Sequence, residues 1–204
     1  MSEYNLSEIK EKISGRIDSK RMEHTIGVCY TAASLAMRYN TDDKTDLITK
    51  AMVAGLLHDN AKCMDNNELL TKSRTAGITV TESQVKNPFL LHGPLGSYFA
   101  HTEHFINDTD ILNAIYWHTT GRPDMSLLEQ IIFVADYIEP MRTRQKNLPQ
   151  LRRLAFLDLE ECVYRIADDT LDFLKEKGSE IDEMTVATRD FYYGRVMARI
   201  SMEE

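Results

Sequence analysis

The stretch RMEHTIGVCYTAASLAM, residues 21–37, decides the reading of the fold. Its apolar residues Met22, Ile26, Tyr30, Ala33 and Met37 recur every three or four positions, which aligns them along one face of an α-helix. The same spacing extends outward, predicting helices over residues 6–17, 19–39, 42–57, 94–106, 109–118, 126–137, 151–176 and 181–202. Strand-like alternation is nearly absent, so an all-α helical bundle is expected. Asp42-Asp43 can cap the helix that follows, the Asn87-Pro88 pair disfavours helix, and Thr120-Gly121-Arg122-Pro123-Asp124 interrupts the pattern after His118. None of these breaks is long enough to link domains, and 204 residues suit one core, so residues 1–204 are expected to form a single domain. Residues 64–92 are the least regular part, read as one short helix and then a loop crossing a site.

Composition narrows the function. The chain has 24 Lys and Arg against 32 Asp and Glu, a net charge of −8, which gives no general attraction for nucleic acid or an anionic membrane. Any anionic substrate must therefore be held by local cations. Cys29, Cys63 and Cys162 form neither a zinc knuckle nor an even disulfide framework, and no apolar run is long enough to span a bilayer. A soluble, cytoplasmic protein is expected, a monomer or a homodimer, with neither nucleic acid nor membrane as a partner.

The segment AGLLHDNAKC, residues 54–63, carries small and apolar residues straight into His58-Asp59 and then Lys62, three groups that are costly to bury alone. Other histidines stand in similar company: Arg21-Met22-Glu23-His24, Leu91-His92-Gly93, and Trp117-His118-Thr119-Thr120-Gly121. Asp136 closes the apolar run IIFVAD. Imidazole and carboxylate donors suit iron, manganese or zinc better than calcium. At the end of a helix His58 and Asp59 can both turn toward one point, and an ionised Asp can place one oxygen on each of two cations. A lone histidine such as His24 is ordinarily a hydrogen-bonded core residue; the ordered set of elements is what favours a metal centre.

That ordered set, R-x-x-H, HD-x-A-K, LHG, HT-x-G and AD-x-I-E-P-x-R, resembles the HD-domain metallohydrolases over about residues 20–160. Within them it is similar to the YqeK-type symmetrical bis(5'-nucleosyl)-tetraphosphatases. The resemblance implies a helical bundle with a dinuclear metal centre, iron being the expected metal and manganese or another divalent ion the alternatives. It implies hydrolysis of diadenosine tetraphosphate to two ADP by a metal-activated hydroxide. It assigns His24, His58, Asp59 and Asp136 to one metal position, has Asp59 bridge to the second, and completes that with His92 and His118. The acidic pair that follows HD in alarmone hydrolases is replaced by Asn60-Ala61-Lys62, and the GYP signature of cyclic-dinucleotide phosphodiesterases is missing. Asn60 and Ser97 depart from the residues most common at their positions, which bears on nucleotide preference.

Around this set, Lys62 lies four residues after His58 and is expected to act with Asp59 in catalysis and to face substrate phosphate. Arg21, three before His24, and Arg142, six after Asp136, are candidate phosphate clamps, and Thr119 and Thr120 candidate hydrogen-bond donors. Arg144, Lys146, Arg152 and Arg153 read as a solvated basic stretch. Glu139 is either an orienting partner of a ligand or a helix-end charge. His101 and His104 share a helix face without an Asp or Cys partner and read as surface residues. A nucleotide phosphomonoesterase and a non-catalytic nucleotide sensor are the competing functional readings.

Overall fold

The computed structural model describes residues 4–41 and 46–203. Among them the chain forms eleven α-helices and one 3-10 turn, and no strand. The helices are α1 (Leu6–Ser14), α2 (Ser19–Tyr39), α3 (Leu47–Leu57), α4 (Asn66–Thr75), α5 (Glu82–Lys86), α6 (His92–His104), α7 (Thr109–Trp117), α8 (Leu127–Ile138), α9 (Leu148–Leu154), α10 (Leu159–Lys177) and α11 (Glu183–Glu203); the 3-10 turn covers Pro88–Leu91. Helices α2, α3, α7 and α8 pack on one another around the main core, α6 lies on α7, and the α10–α11 pair leans on α8. A smaller apolar cluster of Ala61, Leu69, Leu91 and Leu95 seats α4 and the 3-10 turn against α6.

The helix over the opening stretch forms, but the face it buries is not the one carrying its largest apolar residues. Tyr30 and Met37 are exposed, whereas Val28, Cys29, Ala32, Leu35 and Ala36 are buried with His24 and Thr25. The cause is the close approach of α3. A Cβ on Gly55 would stand 2.8 Å from the Cα of Cys29, so the two backbones meet where both helices carry small residues. That contact sends α2 inward along its Cys/Ala stripe and turns Tyr30 outward.

Other boundaries shift for local reasons. Asp42 and Asp43 lie outside the described residues, and α3 begins at Leu47. Residues 64–92 hold two helices rather than one, each opened by a reciprocal capping box, Asp65 with Glu68 and Thr81 with Gln84. Helix α6 starts at His92, two residues before the expected 94, and Pro94 is tolerated because it falls in a first turn where its missing N–H costs nothing. The single helix expected over 151–176 is two: Asp158 leaves the helical path and caps α10 through Glu161 N at 3.0 Å.

Candidate metal centre

Three of the histidines sit at equivalent places. His58, His92 and His118 each follow directly on the last residue of α3, the 3-10 turn and α7. The last carbonyls of a helix have no partner within it. Each ring uses one of them, donating Nδ1–H to the carbonyl three residues back: His58 to Gly55 at 2.7 Å, His118 to Ile115 at 2.7 Å, and His92 to Phe89. All three therefore present Nε2 as a lone pair when neutral. His24 lies inside α2, where the carbonyls are occupied, and its Nδ1–H goes instead to Glu139 Oε1 at 3.0 Å. Glu139 is itself buried and accepts the N–H of Met141 at 2.6 Å.

The Nε2 atoms converge on two neighbouring points. His24, His58 and Asp136 form one group, and Asp59, His92 and His118 another. Within the first, His24 Nε2 lies 3.3 Å from His58 Nε2 and 3.0 Å from Asp136 Oδ1. Within the second, His92 and His118 Nε2 are 3.0 Å apart. Asp59 divides its carboxylate between them. Oδ2 faces His58 at 3.3 Å and His24 at 3.7 Å, while Oδ1 faces His92 at 3.4 Å and His118 at 3.6 Å. Residues 58–64 continue α3 as a chain of tight turns, with Lys62 N bonded to Asp59 O at 2.9 Å, which lets the consecutive His58 and Asp59 reach the same centre.

The donor set fits a divalent cation. With every Nδ1–H committed, facing Nε2 lone pairs repel unless a cation lies between them, and Asp59 Oδ1 is buried with no hydrogen-bond partner among the described residues. Electrostatics hold the two carboxylates and His92 in ligand-competent forms, whereas at His58 burial favours the neutral ring but the Asp59 and Asp136 charges outweigh it and raise its pKa, so a cation bound there takes the place of a proton. Burial raises the carboxyls of Asp59 and Asp136, yet the His58, Lys62 and Arg142 charges and the His24 hydrogen bond outweigh it and hold both well below the usual carboxylate range. Burial, helped by the Lys62 charge, drives His92 well below the ordinary imidazole range and keeps its Nε2 unprotonated, a lone pair that the Lys62 ammonium meets at 2.9 Å.

A cleft of about 540 Å³ opens over the centre, and Arg21, Lys62, Thr119, Asp136 and Arg142 line it. Arg21 donates to Asp59 Oδ2 at 2.8 Å, and Arg142 pairs with Asp136. Lys62 Nζ stands 2.9 Å from His92 Nε2 and 3.5 Å from Asp59 Oδ1, with the Phe89 ring 4.0 Å away. Thr119 Oγ1 reaches His92 and His118 Nε2 at 3.1 and 3.2 Å. Thr120 differs: its hydroxyl is spent on Gly121 O, in a turn that needs the positive φ of Gly121. His101 and His104 join neither group; His101 donates to Ile106 O.

Two residues matter more than their sequence context suggested. Arg152 is not part of a solvated stretch, since its guanidinium donates to the carbonyls of Ile138, Glu139 and Arg142 and so fixes the turn carrying the last two. Gly27 makes room for Glu139, whose Oε2 would collide with a Cβ there. Asn60 and Ser97 tie elements together, the first to Gly96 O and the second to Leu112 O, and neither lines the cleft over the centre.

A helical bundle that gathers four histidines and two aspartates into two adjoining clusters able to hold a metal ion, beneath a cleft edged with arginine and lysine, has the makings of a metal-dependent phosphohydrolase. The family model described as "HD domain" matches residues 21–141, and the chain belongs to that family. It is 39% identical over 90% of its length to a protein of Halalkalibacterium halodurans named bis(5'-nucleosyl)-tetraphosphatase, symmetrical, and covers 95% of that relative. A Bacillus subtilis protein of the same name is 35% identical, again with 90% of this chain and 95% of the relative aligned. A crystal structure from Clostridium acetobutylicum, described as a "predicted HD superfamily hydrolase involved in NAD metabolism", superposes with a TM-score of 0.88 at 36% identity, covering 95% of this chain and 100% of that one.

Proposed function

We propose that this chain is a symmetrical bis(5'-nucleosyl)-tetraphosphatase that hydrolyses diadenosine tetraphosphate to two ADP. The observation that carries the reading is the split carboxylate of Asp59, one oxygen toward each histidine group, at the floor of a cleft edged with cations. Relatives that bear this name align over nearly the whole chain. In this reading His24, His58 and Asp136 hold one metal and His92 and His118 the other, with Asp59 shared. Iron is the metal proposed, and such a pair supplies an acidified water and neutralises charge on the phosphoryl group.

The chain's own residues do the rest. The three orphan carbonyls and Glu139 keep the imidazoles in the Nε2-liganding tautomer. Arg21, Lys62 and Arg142 offer the cations that a tetraphosphate needs, and Thr119 a hydroxyl beside them. Water attacks an inner phosphorus, the central P–O–P bond breaks, and the water oxygen remains on one of the two ADP products while the other leaves with the bridging oxygen. A cytoplasmic location fits the free cysteines Cys29, Cys63 and Cys162, and a monomer or homodimer completes the reading.

The test is product analysis of the iron- or manganese-loaded protein. Diadenosine tetraphosphate should yield ADP alone. ATP with AMP would overturn symmetrical cleavage, preferred hydrolysis of AMP would mark a phosphomonoesterase, and tight binding without turnover a sensor. Asp59→Ala should lose bound metal and turnover together.

A further inference from the structure

The proposed substrate carries two nucleosides, and the cleft over the centre is one of two adjoining cavities. The second, of about 590 Å³, is large enough for a nucleoside, and Thr119 lines both. One wall is made by Tyr116 and Trp117 at the end of α7, whose rings stand 4.6 Å apart at 54°. Facing elements are α5 and the segment entering α11, clasped together by Ser83 Oγ donating to Asp182 Oδ2 at 2.6 Å and by the Lys86–Glu180 ion pair at 2.8 Å.

The charges of the two cavities are opposed. Arg21, Lys62 and Arg142 edge the cleft over the centre, whereas Glu82, Glu180, Asp182 and Glu183 line the second cavity, whose single lysine, Lys86, is already paired with Glu180. A phosphate chain is drawn to the first and repelled by the second. A neutral base and ribose suit the second, because aromatic faces stack on a base and carboxylates accept from hydroxyls and exocyclic amines.

From this division we infer that the second cavity is the subsite for the far nucleoside of the dinucleotide, with the polyphosphate crossing at Thr119. The inference rests on the proposed tetraphosphatase activity and adds the site that distinguishes a two-headed substrate from a one-headed one. Thr119 Oγ1, within 3.2 Å of both His92 and His118 Nε2, places the crossing beside the metal ligands.

Adenosine 5'-tetraphosphate, which lacks the far nucleoside, provides the test. Its central cleavage gives ADP and pyrophosphate. The unaltered metal-loaded enzyme should cleave diadenosine tetraphosphate with kcat/KM about tenfold higher, the effect expected of one stacked base. Thr79→Trp, at an exposed rim position, should fill the cavity, remove that advantage and leave adenosine tetraphosphate turnover as it was. Equal use of both substrates by the unaltered enzyme, or a Thr79→Trp variant that affects both alike or neither, overturns the subsite while the tetraphosphatase reading stands. Cleavage of neither substrate overturns the reading, and the subsite with it.

Discussion

Glu139 holds His24 through a 3.0 Å hydrogen bond from Nδ1, and it does so from 115 residues further along the chain. It does for His24 what the orphan carbonyls of three helical ends do for the other histidines. A carboxylate on the remote nitrogen fixes the tautomer and raises the basicity of the liganding one, and removing such a partner typically costs 10–100-fold in metal affinity.

Glu139→Gln should therefore weaken metal binding about 10–100-fold while leaving every proposed ligand in place. Gly27→Ala should act in the same direction, because its methyl would collide with Glu139 Oε2. Metal titration of the purified variants, with circular dichroism to verify folding, measures both. Full metal occupancy in Glu139→Gln at low metal concentration would count against this role.

The Arg122–Glu129 pair makes a different kind of prediction. Glu129 is buried and receives two hydrogen bonds from one guanidinium, at 2.6 and 2.8 Å, and a third from Ser126 N at 2.7 Å. Arg122→Ala leaves a buried carboxylate facing nothing cationic, at a cost of about 3 kcal/mol. For a chain of this size that lowers the melting temperature by roughly 6–12 °C. Adding Glu129→Ala should recover part of the loss, because the stranded charge goes with it.

How far these features could be read in advance differs by residue. The helices were legible because their period is written into the chain, and the set around His24, His58-Asp59, His92, His118 and Asp136 because each member sits in a short local motif. The buried face of α2 was not, since close packing selected Cys29, Ala32 and Ala36 over the bulkier Tyr30 and Met37. The split between α9 and α10 was signalled only by a single capping aspartate, Asp158. Glu139 could be read as one of two things, an orienting partner or a helix-end charge, and only its tertiary contact with His24 decides between them, while the role of Arg152 at a turn is encoded by no local spacing. The capping boxes of α4 and α5 were readable: Asp65-x-x-Glu68 and Thr81-x-x-Gln84 are plain in the sequence.

Acid should expose the Asp108–Lys50 contact. Burial raises the Asp108 carboxyl, but Lys50 at 2.7 Å and the N–H groups of Asp110 and Ile111 outweigh it and lower it below the ordinary value. A carboxylate with a depressed folded-state pKa stabilises above its unfolded value of about 3.9 and loses that contribution as pH falls through the folded value. Lys50→Met should thus cost about 1 kcal/mol at neutral pH, in keeping with a partly exposed pair. The gap from the unaltered protein should begin to narrow below about pH 4 and keep narrowing as the pH falls toward the lower folded-state value, as denaturant unfolding at pH 7 and pH 3 would reveal. A constant gap would assign the effect to packing of the lysine stem.

Lys62 separates binding from turnover. Its ammonium lies 2.9 Å from His92 Nε2 and 3.5 Å from the partnerless Oδ1 of Asp59, against the Phe89 ring. A cation there repels a divalent metal held by Asp59, His92 and His118, yet the same charge edges the cleft where phosphate would lie. Burial lowers the lysine's pKa, so it gives up its charge more readily than a surface lysine and is correspondingly costly to keep in place. The two effects have opposite signs. Lys62→Met, which keeps the stem and removes the charge, should bind metal severalfold more tightly in the absence of substrate and turn over about 10²-fold more slowly, the scale expected when one group stabilising transition-state charge is lost. Metal competition titration and kcat on the same preparation read both quantities. A variant that loses metal affinity and turnover together would make Lys62 a prop for His92 rather than a contact for substrate phosphate.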